Sequence, residues 1–221
     1  MLRESLVYDI VTIVASSRAN IIYISHKKGE EELIIETIKN MALRFETTPD
    51  VFSPEHIDHG TLAMLSVVDF VAADKVLDLG CGYGVVGITA AKIIGSQNVV
   101  MSDIQEKATC LSRKNAELNE VHDVKIILSN GFNDIQDKDF SIILSNPPYH
   151  SDFSVPKHFI EKGFNRLLSG GKMYMVTKRK DWYKNKLTAI FGGVKTYKID
   201  GYFVFCAEKR GMQYANSKRT K

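Results

Sequence analysis

Two short stretches of this sequence hold residues whose types and spacing could do chemistry. The first, Asp78-Leu79-Gly80-Cys81-Gly82-Tyr83-Gly84, has glycines at alternate positions, which lets a backbone turn sharply and approach a ligand with no Cβ in the way. The second is Asn146-Pro147-Pro148-Tyr149. Its prolines remove two backbone donors, so carbonyl and amide oxygens are left to accept hydrogen bonds beside an aromatic ring. Such a stretch would hold a planar group that bears an NH₂.

The glycine turn by itself fits two kinds of ligand. Gly82, Gly84 and Gly87 satisfy the G-x-G-x-x-G dinucleotide fingerprint, and Asp103 follows about 20 residues on, as that fingerprint requires. Asp78 points the other way, because a carboxylate there would repel a pyrophosphate and attract a cationic amino-acid group. Together with the Asn146 motif, Asp78 favours a sulfonium or amine ligand over a diphosphate.

Strands and helices alternate around these two stretches. Apolar runs predict strands over 75–79, 98–101, 124–128, 140–144, 173–177, 194–199 and 202–207, and helices over 85–94, 106–118, 157–168 and 182–191. This order predicts an α/β fold with a doubly wound, mostly parallel seven-stranded sheet. Asp200-Gly201 predicts a tight hairpin, so one C-terminal strand runs antiparallel. Ligands of such sheets bind at the carboxyl ends of the strands, where both motifs stand.

The rest of the chain divides into segments with weaker patterns. Residues 1–45 are expected to form a small appendage, with a β-like run over 20–25 and an acidic helix over 30–41. Residues 46–210 would be the ligand-binding domain. Residues 211–221 form a basic tail that we expect to be disordered.

Composition and charge limit the class of protein. The 221 residues are 44% hydrophobic and 25% charged, which suits one globular domain with an appendage. No apolar run is long enough for a membrane span, and Asp9 interrupts the first apolar run, so we expect a cytoplasmic protein without membrane contact. Cys81, Cys110 and Cys206 show no pairing or metal-ligand spacing and are expected to be buried, reduced thiols.

The net charge of +3 hides a division along the chain. Residues 1–155 carry 13 Lys and Arg against 22 Asp and Glu, whereas residues 156–221 carry 16 against 4. A concentrated positive surface is typical of proteins that bind a polyanion such as a nucleic acid. A solvated surface alone would give the same pattern.

These motifs resemble a known family. The turn over 78–84, with Asp103, Asn130 and the N-P-P-Y stretch, resembles the class I S-adenosylmethionine-dependent methyltransferases that modify exocyclic or amide nitrogens, with a Rossmann-like fold. Val51-Phe52-Ser53, followed by Asp58 and Gly60, looks like the small-subunit ribosomal RNA guanine-N2 methyltransferase family (methyltransferase small domain) and its short single-domain relatives. The larger members carry a second, degenerate N-terminal domain, of which residues 1–45 would be at most a remnant.

The resemblance implies S-adenosylmethionine as the cofactor and assigns its contacts residue by residue. Asp78 would lie near the ammonium group, Asp103 would accept hydrogen bonds from the ribose hydroxyls, and Ile104 would cover the adenine. The remaining implied contacts are Gly80, Gly82 and Gly84 along the methionine part, Asn130 at the adenine edge, and Phe52, Ser53 and Gly60 closing the pocket.

For catalysis, the resemblance implies that Asn146 Oδ1 and the Pro147 carbonyl accept the two N–H bonds of the target amine while Tyr149 stacks on the base. This aims the nitrogen lone pair at the sulfonium methyl. Pro148 and His150, beside these residues in the sequence, are expected to contact the substrate. Lys178, Arg179 and Lys180 follow the fifth predicted strand at the same edge of the sheet, so they are expected either to bind RNA phosphates or to be solvated surface. This chemistry needs no metal. The two histidines His56 and His59, with Asp58 nearby, do not supply the three firm ligands that a metal site requires.

The leading interpretation is therefore an enzyme that methylates the N2 amine of a guanine in ribosomal RNA or in a small ribosomal subunit. Protein glutamine-N5 methylation shares the N-P-P-Y motif, and adenine-N6 or tRNA methylation is a further alternative. A nicotinamide-dependent oxidoreductase would use the same glycines but leaves the Asn146 motif unexplained. A non-catalytic RNA-binding relative would not need that motif.

Overall fold

A computed structural model of the chain describes residues 9–16, 21–28, 31–148 and 152–211. The N-terminal part is a four-stranded antiparallel sheet in the order β1-β2-β3-β4. Its strands are β1 (Asp9–Ser16), β2 (Ile21–Lys28), β3 (Glu31–Ile38) and β4 (Met41–Thr47). The β-like run expected over 20–25 lies within β2 apart from its first residue, which is outside the described part.

The acidic helix expected over 30–41 is wrong. Its described part is β3, a turn and the start of β4. Ile34, Glu36 and Ile38 are buried in strict alternation, which is the period of a strand and not of a helix. Lys39 and Asn40 both have positive φ, 50° and 63°, as the central residues of a tight hairpin turn of the I′ type require. The glutamates suggested a solvated helix, whereas the β-branched residues between them determine a strand.

The main domain contains the seven-stranded sheet, in the order β10-β11-β9-β8-β5-β6-β7. Its elements are α1 (His59–Val67), β5 (Val76–Leu79), α2 (Val85–Ile94), a short 3₁₀ helix (Ser96–Asn98), β6 (Val99–Asp103), α3 (Glu106–Leu118), β7 (Lys125–Leu128), β8 (Phe140–Ser145), α4 (Ser154–Arg166), β9 (Leu167–Thr177), α5 (Lys180–Phe191), β10 (Lys195–Ile199) and β11 (Tyr202–Glu208).

The predicted α/β architecture is confirmed. β11 runs antiparallel to β9 and β10, and the remaining neighbours pair in parallel. Asp200 and Gly201 form the hairpin turn with φ of 46° and 83°. Strand β9 begins at Leu167, earlier than the sequence indicates. Gly170 and Gly171, which fall between the helix predicted over 157–168 and the strand predicted over 173–177, belong to β9. The Gly170 N–H donates to the Lys209 carbonyl at 2.7 Å, and the Lys209 N–H donates to the Gly171 carbonyl at 2.8 Å.

Helices cover both faces of this sheet. Buried side chains of α1, α2 and α3 pack into one apolar cluster, and those of α4 and α5 pack into a second cluster on the opposite face. The edge formed by the carboxyl ends of the parallel strands is left for the loops that follow them. Among the described helices, none has the length and apolar character to cross a membrane.

Candidate active site

A cavity of about 290 Å³ opens at the carboxyl ends of β5, β6 and β8. The two sequence motifs meet there with loops that lie far from them along the chain. The predicted site residues on its wall are Asp78, Gly80, Gly82, Asp103, Ile104, Asn130, Phe52, Asn146, Pro147 and Pro148. The edge of the sheet thus gathers ten of the predicted residues around one space.

The glycine turn follows β5 and is held against β6. The N–H groups of Gly80 and Cys81 both donate to the Ser102 carbonyl, at 2.8 and 2.9 Å. Gly80, Gly82 and Gly84 all have positive φ, between 56° and 104°, a conformation that side chains with a Cβ rarely adopt. Gly80 and Gly82 therefore present backbone without a side chain to the cavity.

Asp78 is buried beneath this turn, and its Oδ2 accepts a hydrogen bond of 2.8 Å from the Gly87 N–H in the first turn of α2. Burial raises the pKa of Asp78 to about 7, and the nearby Asp103 carboxylate also raises it, whereas the Gly87 hydrogen bond opposes the shift. Among the residues that the structure describes, no cation contributes to lowering this pKa. A bound cation would lower it.

The Asp103 carboxylate joins the end of β6 to the glycine turn. Its Oδ2 accepts from the Gly82 N–H and its Oδ1 from the Gln105 N–H, both at 2.9 Å. Ile104 beside it is 63% exposed, an unusual degree for a large apolar side chain on a cavity wall. Asn130 lies across the cavity and is also exposed. Such a wall suits a flat apolar group with polar edges.

Asn146 follows β8, and its amide nitrogen is fixed by two acceptors. Nδ2 donates to Asp58 Oδ2 at 2.8 Å and to Thr61 Oγ1 at 2.9 Å. Pro147 and Pro148 continue along the cavity wall. Tyr149 and His150, which were predicted to contact the substrate, lie outside the described residues.

Three predicted cofactor contacts do not reach the cavity wall. Gly84 lies behind it at the start of α2, where an added Cβ would meet Ile88 at 2.9 Å. Gly60 is buried within α1. The Ser53 hydroxyl instead donates to the His56 carbonyl at 2.5 Å. Phe52, in contrast, lines the cavity and is 54% exposed.

Cys81 lies in the glycine turn and is buried, as expected, whereas the expectation of burial is wrong for Cys110, which is exposed, and Cys206 is partly buried. Burial, with the Asp78 and Asp103 carboxylates nearby, raises the pKa of the Cys81 thiol well above its ordinary value. A thiol kept neutral is a poor nucleophile. In the part of the chain that the structure describes, His, Cys, Asp and Glu side chains form no group of three or more suited to a metal ion.

The three basic residues predicted to bind RNA follow β9 at the same edge of the sheet. All are exposed. Each cation lies over an aromatic ring, with distances to the ring centre of 4.9 Å for Lys178 on Tyr202, 5.1 Å for Arg179 on Phe153 and 5.6 Å for Lys180 on Phe203. They do not line the cavity. Because the rings restrict the cations, their charges are held at this edge of the sheet.

Asp58 and Thr61 were not predicted as site residues, yet both line the cavity and hold Asn146. The sequence does carry a signal for their local role. Asp58 three residues before Thr61 is the spacing of a helix N-cap, and the Thr61 N–H donates to Asp58 Oδ2 at 2.8 Å. The contact with Asn146 has no such signal.

Comparison with known proteins places these features in a family. The family model of the methyltransferase small domain matches residues 42–206 of this chain. The chain is 31% identical over 177 residues to ribosomal RNA small subunit methyltransferase C of Pseudoalteromonas atlantica, covering 78% of this chain and 51% of that protein. It is 30% identical over 178 residues to YbxB of Bacillus subtilis, covering 78% of this chain and 89% of that one.

Among solved structures, the chain is similar to the Thermus thermophilus 16S rRNA N2 methyltransferase RsmC in complex with AdoMet and guanosine. The TM-score is 0.74 with 26% identity, over 83% of this chain and 52% of that one. A methyltransferase from Pyrococcus furiosus shares the fold, with a TM-score of 0.61 and 18% identity over 76% of this chain and 90% of that one. The chain thus spans about half the length of RsmC and of the P. atlantica relative.

Proposed function

This chain belongs to the methyltransferase small domain family, and from that premise we propose that it transfers a methyl group from S-adenosylmethionine to the exocyclic N2 amine of a guanine in ribosomal RNA. Relatives named as small-subunit ribosomal RNA methyltransferases support the substrate. The similar RsmC structure holds both AdoMet and guanosine. Such a substrate, free or in a small ribosomal subunit, would place the protein in the cytoplasm.

The cavity residues fit S-adenosylmethionine, which when bound supplies a methyl group on a sulfonium. Asp78 is a buried carboxylate that no cation of the described residues offsets, and it would accept the ammonium group of the cofactor. Asp103 would bind the ribose hydroxyls, and Ile104 would cover the adenine, with Asn130 at its polar edge. A diphosphate would bring negative charge next to Asp78 and Asp103, so the same cavity is poorly suited to NAD.

The fixed amide of Asn146 is the observation that carries the proposal. Since Nδ2 is held by Asp58 and Thr61, the amide presents Oδ1 on its other side. Asn146 Oδ1 and the Pro147 carbonyl would accept the two N–H bonds of the target amine. This directs the nitrogen lone pair toward the methyl group and stabilises the positive charge that develops on nitrogen as the C–N bond forms and the C–S bond breaks. The extra proton then leaves to water.

A guanine in RNA fits the surroundings of this site better than a protein side chain. Lys178, Arg179 and Lys180 are exposed at the same edge of the sheet and would contact phosphates, which position an RNA on its enzyme. A target guanine must be unpaired or flipped out to reach the cavity. Tyr149, outside the described residues, stays a prediction for stacking on that base, as His150 does for substrate contact.

We further propose that residues 46–210 are the methyltransferase domain and that residues 1–45 form an appendage. The family match begins at residue 42. Strand β4 crosses the proposed boundary and ends at Thr47, so the appendage would be attached through a shared strand. Residues 212–221 of the basic tail lie outside the described part.

The proposal is tested by calorimetric titration with S-adenosylmethionine and, separately, NAD, followed by transfer of tritiated methyl groups to total RNA and to undermethylated small subunits. We expect the protein to bind S-adenosylmethionine and label the RNA, with the product mapping to N2-methylguanine. Label that enters protein instead would support glutamine methylation. Binding of NAD alone would contradict the assignment of the glycine turn.

A further inference from the structure

The geometry assigns Asp58 as a positioning residue for methyl transfer, one that acts through Asn146. The two residues are 88 positions apart in sequence, yet Asp58 Oδ2 lies 2.8 Å from Asn146 Nδ2. Asp58 is 8% exposed and lines the cavity. This inference rests on the proposed function for the reaction it serves, but the contact itself belongs to the described structure.

An ionised carboxylate has no hydrogen to donate, so only the nitrogen end of an amide can face it. If the Asn146 amide were reversed, its oxygen would lie against Asp58 Oδ2 and the two acceptors would repel each other. Asp58 therefore determines the direction of the amide, and Asn146 Oδ1 is turned to the side opposite Asp58. Without this partner, an asparagine could present either end to the substrate, and its NH₂ would compete with the hydrogens of the target amine.

The carboxylate is itself held in place by the start of α1. Asp58 is the N-cap of this helix, and its Oδ2 also accepts the Thr61 N–H at 2.8 Å. Thr61 then supplies a second acceptor for Asn146 Nδ2 at 2.9 Å. Helix α1 packs on β9 and β11 of the main sheet. The sheet thus fixes the helix, the helix fixes the carboxylate, and the carboxylate fixes the amide.

The negative charge of Asp58 has an effect on Asn146 beyond orienting its amide. A carboxylate that accepts a hydrogen bond from an amide polarises it and strengthens the oxygen as an acceptor. In Asn146 that oxygen faces the nitrogen on which positive charge develops. Asp58 therefore stabilises the transition state more than the bound amine, and its loss should lower kcat with little effect on cofactor affinity.

Replacing Asp58 while keeping the helix cap separates positioning from a structural role. Serine is a good N-cap but has a shorter side chain and no charge to orient Asn146. For Asp58→Ser we expect kcat to fall about 10- to 100-fold, by analogy with the loss of a residue that orients a metal ligand. The Kd for S-adenosylmethionine and the melting temperature should change little. Asp58→Asn keeps an acceptor oxygen for the cap but permits either amide direction, so its kcat should be intermediate.

Two results would overturn the assignment. One is a kcat for Asp58→Ser equal to that of the wild type. The other is a parallel loss of kcat, cofactor affinity and melting temperature, which would show that Asp58 supports the pocket as a whole. Thr61→Val is the matched control, because it removes one acceptor of Asn146 Nδ2 but keeps the carboxylate, and its kcat should fall less than that of Asp58→Ser.

A second readout needs no substrate and so separates this inference from the proposed function. The side-chain NH₂ signals of Asn146 can be identified in ¹H–¹⁵N spectra by their loss in Asn146→Asp. In the wild type they should exchange slowly with water, and in Asp58→Ser they should shift and exchange faster. Unchanged signals would overturn the assignment even if RNA is methylated. If they change but no RNA is labelled, the proposed function fails and the contact stands.

Discussion

Asn115 on α3 pairs with the backbone of Glu46 on β4 as a residue of a neighbouring strand would. Its Oδ1 accepts from the Glu46 N–H at 2.7 Å, and its Nδ2 donates to the Glu46 carbonyl at 2.9 Å. Asn119 makes the same two contacts with Arg44, at 3.0 and 2.6 Å. Four residues of a helix and two residues of a strand both rise about 6 to 7 Å. The two amides therefore match the edge of β4 and attach the N-terminal sheet to the main domain.

This pairing predicts a large loss of stability for Asn115→Ala. The substitution would leave the Glu46 N–H and carbonyl without partners, and also the Tyr83 carbonyl, which accepts from Asn115 Nδ2 at 2.9 Å. Unpaired buried groups cost about 1 to 3 kcal/mol each, so we expect the free energy of unfolding in urea to fall by at least that amount. Glu117→Ala, on the exposed side of α3, is the control and should have little effect. Equal losses in the two variants would show that the amide pairing contributes nothing.

Much of the fold could be predicted because its local signals agree with the final contacts. The predicted helices over 85–94 and 106–118 coincide with α2 and α3, since apolar periodicity and the turn residues before them both indicate a helix. The helix prediction for residues 31–38 was wrong because its local signals disagree with the final contacts. Its glutamates fit a helix, but the hairpin at Lys39 and Asn40 and pairing with β4 decide its conformation.

The site could be predicted only in part, for a similar reason. Asp78 and Asp103 lie near the carboxyl ends of β5 and β6, and Asn146 follows β8. Because these parallel strands are neighbours, their ends meet at one edge of the sheet, so the proximity of the three residues could be predicted from the sequence pattern. Asp58 precedes a helix in another part of the chain. Its contact with Asn146 depends on where α1 packs on the sheet, which no local pattern contains.

Asp103→Ala should weaken the binding of S-adenosylmethionine by about 1 to 3 kcal/mol, because the ribose hydroxyls and the Gly82 N–H would each lose an acceptor. Calorimetric titration measures this change directly. Asp103→Asn keeps one acceptor oxygen and should show a smaller loss. Unchanged affinity in Asp103→Ala would remove the ribose assignment.

Asn146→Ala should abolish methyl transfer while the protein still binds S-adenosylmethionine almost as the wild type does. The substitution removes the oxygen proposed to accept the target amine but leaves Asp78 and Asp103, the proposed cofactor contacts, in place. Single-turnover transfer to RNA, measured beside the cofactor Kd, separates the two effects. If affinity and transfer fell together, Asn146 would instead support the pocket.

The raised pKa of Asp78 predicts a pH dependence of cofactor affinity. With a pKa of about 7, about one tenth of the carboxyl is ionised at pH 6 and about three quarters at pH 7.5. If the ionised form binds the ammonium group, affinity should rise by up to about eightfold over this range. Asp78→Asn should bind more weakly and show a flat profile in the same titrations. A wild-type profile equally flat would contradict the assignment of Asp78.

The raised pKa of Asp78 also makes the stability of the fold depend on pH. The folded pKa lies above the ordinary value of 3.8, so between these values the folded protein keeps a proton that the unfolded chain has lost. Asp78 therefore favours the folded state most below pH 3.8, and this contribution is lost as the pH rises to about 7. Asp78→Asn has no titrating carboxyl and so lacks this pH-dependent contribution. Its free energy of unfolding in urea, relative to that of the wild type, should therefore increase with pH across that window.

The basic run after β9 predicts how RNA affinity depends on salt. If Lys178, Arg179 and Lys180 each contact a phosphate, replacing all three by alanine should lower the slope of log K against log salt by about 2 for single-stranded RNA. Filter binding of small-subunit ribosomal RNA at increasing KCl measures this slope. Lys138→Ala is the control, because Lys138 is exposed and precedes β8, at the opposite edge of the sheet. An unchanged slope in the triple variant would show that these cations serve as solvated surface and that the RNA reaches Asn146 across another face.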